Sequence, residues 1–227
     1  LYGCIHRSSC YKIRTMIISK NIVLKAIFIT LLLSFISSIQ SAEKSIKIML
    51  YGDSLMAGYG LPQNENLVTQ IKQKFKHNSK QITLINASAS GNTSSNGLAR
   101  LDWSLLDQPD IVIVGLGSND MLRGIDPKLT QQNLDKIITK INKTGAIVIL
   151  VGARSPANMG PDYQTQFDQT YLTLSQKHGL IFMPFLLEGI ALEKEYLQGD
   201  YKHPNAEGVK LMANNLYPFI LKGIDLL

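Results

Sequence analysis

Cysteine is almost absent from this 227-residue chain, and the two present, Cys4 and Cys10, fall near its start. Beyond them no thiol remains to form a disulfide, ligate a metal or attack a substrate, so cysteine chemistry is excluded from the rest of the chain. Histidine is nearly as scarce, and His77, His178 and His203, the three outside that first stretch, have no spacing with carboxylates that suggests a paired metal site. No metal is expected. Tryptophan occurs once, at Trp103, and no basic tract with interleaved aromatic residues is present. The formal net charge of +6 points at first to an anionic partner. However, Arg7, Lys12, Arg14, Lys20 and Lys25 all precede Glu43, the first acidic residue; removing those five from 23 leaves 18 basic residues against 17 acidic ones. A nearly neutral remainder lacks the electrostatic footprint of phosphate-backbone binding, which argues against nucleic acid as a partner.

Long hydrophobic runs are also few. Ala26 to Ile36 is almost uninterrupted, follows the basic flank of Lys20 and Lys25, and gives way to the small and polar segment Ser37 to Ala42. The run is too short for the roughly 20 apolar residues of a membrane-spanning helix, and its flanks are those of a signal peptide. Cleavage is expected near Ala42, although Gln40 departs from the usual small residue at that position. Met16 is a plausible initiator, leaving residues 1–15 as upstream sequence without function. The expected organisation is therefore an upstream segment and signal peptide over 1–42 and a single folded domain over 43–227. The mature protein is expected to lack a stable membrane span and to be periplasmic, with release into the medium as the alternative.

From residue 45 onward, short β-branched apolar runs alternate with segments of helical period. The runs are Ile46 to Tyr51, Ile82 to Asn86, Ile111 to Leu116, Ile147 to Val151 and Leu180 to Met183. Between and after them lie candidate helices over Leu67 to Lys76, Leu98 to Leu106, Leu129 to Asn142, Tyr163 to His178 and Ala206 to about Lys222. Continuously apolar strands suit a parallel sheet covered on both faces, so the pattern predicts an α/β fold, a three-layer α/β/α sandwich around five parallel strands. In such sheets ligands bind beyond the carboxyl ends of the strands. The first three strand exits carry Gly52-Asp53-Ser54-Leu55, Ala89-Ser90-Gly91-Asn92 and Gly117-Ser118-Asn119-Asp120, all small or polar groups.

Ser54 follows a strand directly, between Gly52 and Gly58, as an exposed nucleophile at a tight turn does. A serine hydroxyl needs an adjacent base, normally a histidine oriented by a carboxylate. His77 lies in a polar run and His178 precedes Gly179 at a helix end, where a cation is welcome. His203 instead stands in the loop Gly199-Asp200-Tyr201-Lys202-His203-Pro204-Asn205, and Asp200, three residues before it, is within reach of its Nδ1. Taken alone, the same spacing also serves capping and loop packing. Acyl transfer further needs donors for the developing oxyanion, and the amides of Ser54 and Gly91 with the side chain of Asn119 are the candidates. Each has a plainer reading too, as a turn glycine or a backbone-bridging asparagine.

Together, Ser54, Gly91, Asn119 and His203, in four ordered blocks with Asp200 beside the last, closely resemble the SGNH (GDSL) hydrolase family. Ile85-Asn86-Ala87-Ser88, Asn119-Asp120-Met121-Leu122-Arg123-Gly124 and Pro156-Ala157-Asn158 are most similar to its periplasmic thioesterase I, lysophospholipase L1 and arylesterase branch. The resemblance implies a flavodoxin-like sandwich, no cofactor, and a monomeric serine esterase or thioesterase. Its implied substrates are acyl thioesters, lysophospholipids and aryl esters, cleaved through an acyl-enzyme. It implies Ser54, Asp200 and His203 as catalytic residues, an oxyanion hole of Ser54, Gly91 and Asn119, and substrate contacts from Asp53, Leu55, Asp120, Met121, Leu122 and Pro156. Where that branch commonly has Gly-Gly-Asn-Asp, this chain has Ser118, and Met121 follows Asp120 in place of a glycine. These departures bear on chain-length preference, because that loop borders the acyl pocket in the branch. A carbohydrate acetyl esterase shares the four blocks, and a non-catalytic lipid- or cell-wall-binding protein on the same scaffold is the alternative of another class.

Overall fold

The computed structural model describes residues 45–76 and 80–227. The expected signal peptide, the boundary at residue 42, both cysteines, His6 and His77 lie outside the described residues.

Five strands, β1 (Ile46–Gly52), β2 (Ile82–Asn86), β3 (Ile111–Gly115), β4 (Ile147–Val151) and β5 (Ile181–Met183), form one sheet in the order β2-β1-β3-β4-β5. Every pairing is parallel. Side chains alternate across the sheet. Ile48, Leu50, Ile111, Ile113 and Ile149 face one core with α2 (Leu67–Lys74) and the long C-terminal helix. Met49, Tyr51, Val112, Val114 and Leu150 face a second core beneath three other helices. Both sets are fully buried, which is why the strands read as unbroken apolar runs. The result is the expected three-layer sandwich.

Helix starts are set by caps more than by the first apolar residue. α3 (Ser94–Ser104) begins four residues before Leu98, because Thr93 and Asn96 form a reciprocal capping box. The five-residue α4 (Ser118–Leu122) follows β3, and α5 (Pro127–Asn142) opens on Asp126, whose side chain accepts from Lys128 N at 2.8 Å, with Pro127 in the first turn. α6 (Pro161–His178) ends on Gly179 in the left-handed conformation. At that end His178 Nε2 lies 2.6 Å from Asp135 Oδ1, a helix-end contact that explains this histidine without chemistry. α7 (Ala206–Ile224) is capped by Asn205, which accepts from Gly208 N at 3.0 Å.

The order β2-β1-β3 makes β1 the place where connections leave in opposite directions. A crevice opens there beyond the carboxyl ends of β1 and β3. The four-residue α1 (Ser54–Ala57) starts in that crevice.

Candidate active site

Ser54 is the first residue of α1, so its amide has no intrahelical acceptor and faces outward. Two local features force the turn. Asp53 caps α1, its Oδ1 accepting from Leu55 N at 3.1 Å. Gly52 has no space for a side chain: an added Cβ would stand 2.7 Å from Met56 Sδ and 2.8 Å from the Gly115 carbonyl oxygen. The last residue of β1 thus runs against β3, and the serine is pushed to the end of the sheet.

The partner histidine arrives from the far end of the sequence. The loop before α7 is shaped by a bridge between Leu197 and Pro204 and by Gln198 N donating to His203 O at 2.8 Å. Tyr201 adopts a left-handed backbone at φ 57°, which tightens the turn between Asp200 and His203. His203 Nε2 lies 2.8 Å from Ser54 Oγ, and His203 Nδ1 lies 2.6 Å from Asp200 Oδ2. Asp200 Oδ1 also accepts from the amides of Lys202 at 2.9 Å and His203 at 3.0 Å. The imidazole hydrogen bond, followed by these two amides, holds the Asp200 carboxyl well below the usual carboxylate range. The Tyr59 ring packs 4.5 Å from the His203 ring, limiting its rotation.

Gly91 and Asn119 line the same cleft as Ser54. Gly91 adopts φ 77°, a conformation that glycine reaches without strain. Asn119 Nδ2 lies 3.4 Å from Asp53 Oδ2, a long contact that nonetheless orients the amide. Asp53 is 2% exposed. Burial pushes its carboxyl up to about 6, against the opposing pull of the Leu55 amide, the His203 charge and the Asn119 amide.

Leu55, Met121, Leu122 and Pro156 line the cleft as expected, and Asp53 reaches only its floor. Asp120 is a correction. It is 1% exposed and turned away from the cleft into a polar cluster with Ser94 and Thr130, because it caps the first turn of α3. The cleft encloses about 480 Å³, and much of its wall comes from residues that carry no periodic signal, among them Tyr59, Phe185, Leu192 and Tyr201. Arg100 was also silent in the sequence. Its guanidinium donates to Asn92 Oδ1 at 2.7 Å, Ala87 O at 2.5 Å and Gly52 O at 3.2 Å, and it stacks 4.1 Å from the Tyr51 ring. It therefore joins the exits of β1 and β2. Only an arginine on the inner face of a helix beside those exits hints at this.

A serine, an imidazole and a carboxylate in one hydrogen-bonded line, at the switch point of a parallel sheet, have the geometry used by nucleophilic serine hydrolases. Residues 50–211 match the GDSL-like lipase/acylhydrolase family, and the chain belongs to it. It is an acyl-ester hydrolase of that family. An arylesterase of Vibrio mimicus is 39% identical over 175 residues, 76% of this chain and 87% of that protein. Thioesterase 1/protease 1/lysophospholipase L1 of Escherichia coli K12 is 34% identical over 178 residues, 76% and 84% of the two chains. Among solved structures, the psychrotrophic esterase EstA from Pseudoalteromonas superposes with a TM-score of 0.75 at 35% identity, covering 79% of this chain and 98% of that one.

Proposed function

We propose that the chain hydrolyses acyl esters and thioesters, including aryl esters and lysophospholipids, with Ser54 as nucleophile, His203 as general base and Asp200 as its orienting carboxylate. The observation that carries the reading is the continuous line from Ser54 Oγ through His203 to Asp200, opening into a largely apolar cleft of about 480 Å³. His203 Nε2 takes the Ser54 proton as Oγ attacks the acyl carbonyl carbon. Asp200 stabilises the imidazolium that forms. The charge that develops on the carbonyl oxygen is met by the amides of Ser54 and Gly91 and by Asn119 Nδ2. His203 then returns the proton to the leaving alcohol or thiol. Water, activated by the same imidazole, releases the acid from the acyl-enzyme and restores Ser54.

The mature enzyme is a single domain over 43–227, exported by the segment before it, periplasmic and monomeric. The composition of the leader supports export, and among the described residues no helix is long and apolar enough to cross a membrane. The cleft wall, rich in leucine, supports an acyl chain over a sugar.

The test is hydrolysis of p-nitrophenyl esters from acetyl to palmitoyl by the domain starting near Glu43, with Ser54→Ala in parallel. Activity peaking at medium or long chains and lost in the variant is expected. Activity confined to acetyl esters moves the reading to a carbohydrate esterase, and a folded Ser54→Ala protein that still accumulates an acyl adduct refutes the nucleophile.

A further inference from the structure

The two donors assigned to the oxyanion hole outside α1 sit on separate segments. Gly91 lies on the loop before α3, whereas Asn119 lies in α4. For both to meet one oxygen, these segments must keep a fixed separation and a fixed relative rotation. A displacement of about 1 Å at such a site is enough to cost on the order of 10²-fold in rate.

Two contacts tie the segments together, and both come from residues just after Asn119. Asp120 is buried, and its Oδ2 accepts from Ser94 N at 2.7 Å while its Oδ1 accepts from Ser94 Oγ at 2.5 Å. Thr130 Oγ1 donates to the same carboxylate at 3.2 Å, and Asn133 Nδ2 donates to Ser94 Oγ at 3.0 Å, so the joint is braced from α5. Arg123, at the end of α4, reaches across the surface and donates from its guanidinium to the Gly91 carbonyl oxygen at 2.9 Å. One tie alone leaves the loop free to pivot about it. Two ties at different points on both segments remove that freedom. The Arg123 contact falls on the donor glycine itself, which otherwise keeps a wide choice of backbone angles.

We propose that Asp120 and Arg123 are positioning residues that set the separation of the Gly91 and Asn119 donors and so tune stabilisation of the transition state. The proposal rests on the oxyanion assignment above. Neither side chain touches substrate in this role. Each acts through the donor beside it.

Arg123 gives the cleaner test, because it is exposed and its removal leaves no buried group unpaired. Arg123→Ala, Arg123→Lys, Asn119→Ala and the double variant Arg123→Ala/Asn119→Ala are assayed with p-nitrophenyl butyrate, and a butylboronic acid serves as a tetrahedral mimic. Arg123→Ala is expected to lower kcat about tenfold with KM within about twofold, and to weaken boronate inhibition by a similar factor. Arg123→Lys should recover most of the loss, since an ammonium can also donate to the Gly91 carbonyl. In the Asn119→Ala background the effect of Arg123→Ala should shrink to about threefold or less, because there is no longer a pair to hold in register. An effect on KM alone, or one of equal size in both backgrounds, overturns the proposal. If Asn119→Ala itself leaves kcat intact, the oxyanion assignment fails and the positioning role falls with it. Asp120→Asn provides a second reading wherever it folds, with the same split between kcat and KM expected.

Discussion

Asp53→Asn removes one titrating group from the floor of the cleft while keeping its shape and the oxygen that caps α1. In the folded protein the Asp53 carboxyl titrates at about 6, against an ordinary value of 3.8, because burial opposes its charge. Below pH 3.8 it is protonated in both folded and unfolded chains, and no charge is buried. As pH rises from there through about 6, the unfolded chain releases its proton first, so the stability present at low pH is lost across this window. A difference of about two pKa units corresponds to about 3 kcal/mol. Asparagine has nothing to ionise. The stability of the variant relative to the parent should therefore rise by about 3 kcal/mol between about pH 3.5 and pH 7.5. Urea unfolding followed by circular dichroism at both pH values reads this double difference, in which the titration of groups not coupled to Asp53 cancels. Activity should move the other way: Asn119 Nδ2 loses its acceptor, and kcat at pH 8 is expected to fall about tenfold. A pH-independent stability difference refutes the reasoning. A parent that gains stability with pH relative to the variant does so more strongly, since it means that the Leu55 and Asn119 amides outweigh burial.

Asp200→Asn should keep the fold, because the amides of Lys202 and His203 still find an oxygen, and lower kcat by about 10⁴ through the wrong imidazole tautomer. Steady-state kinetics beside a thermal melt checks both halves. Gly52→Ala should destabilise the domain by about 1–3 kcal/mol. Shortening Met56 should not rescue it, because the Gly115 carbonyl blocks the same space, and urea midpoints of the single and double variants decide this. Ser54→Ala should melt as the parent does and form no acyl adduct detectable by mass spectrometry.

The sheet was legible because strands covered on both faces must be apolar throughout, and all five runs became strands with ends shifted by at most one residue. Helix beginnings were less so. The apolar stripe of α3 starts at Leu98, but the chain turns helical at Ser94, where polar caps decide. The helices α1 and α4 were missed as helices because four or five residues are too few to show a period, although the motifs on them were found. Ser54, Asp200 and His203 could be singled out because the chain offers so few histidines, and the structure places them in one hydrogen-bonded line. Asp120 was misplaced because a motif gives sequence neighbours but not side-chain direction, and adjacent residues at the start of a helix point about 100° apart. Most of the cleft wall was invisible, since Phe185, Leu192 and Tyr201 sit in irregular segments that carry no periodic pattern.

The hydrogen bond between Ser54 and His203 joins residues 149 positions apart. During synthesis the serine emerges early and the histidine near the end, so the growing chain carries the proposed nucleophile without its proposed base. The same holds for any chain kept unfolded after synthesis. With the proposed triad, hydrolysis begins only when β1 and the loop before α7 have met, which makes completion of the fold the switch that turns the enzyme on.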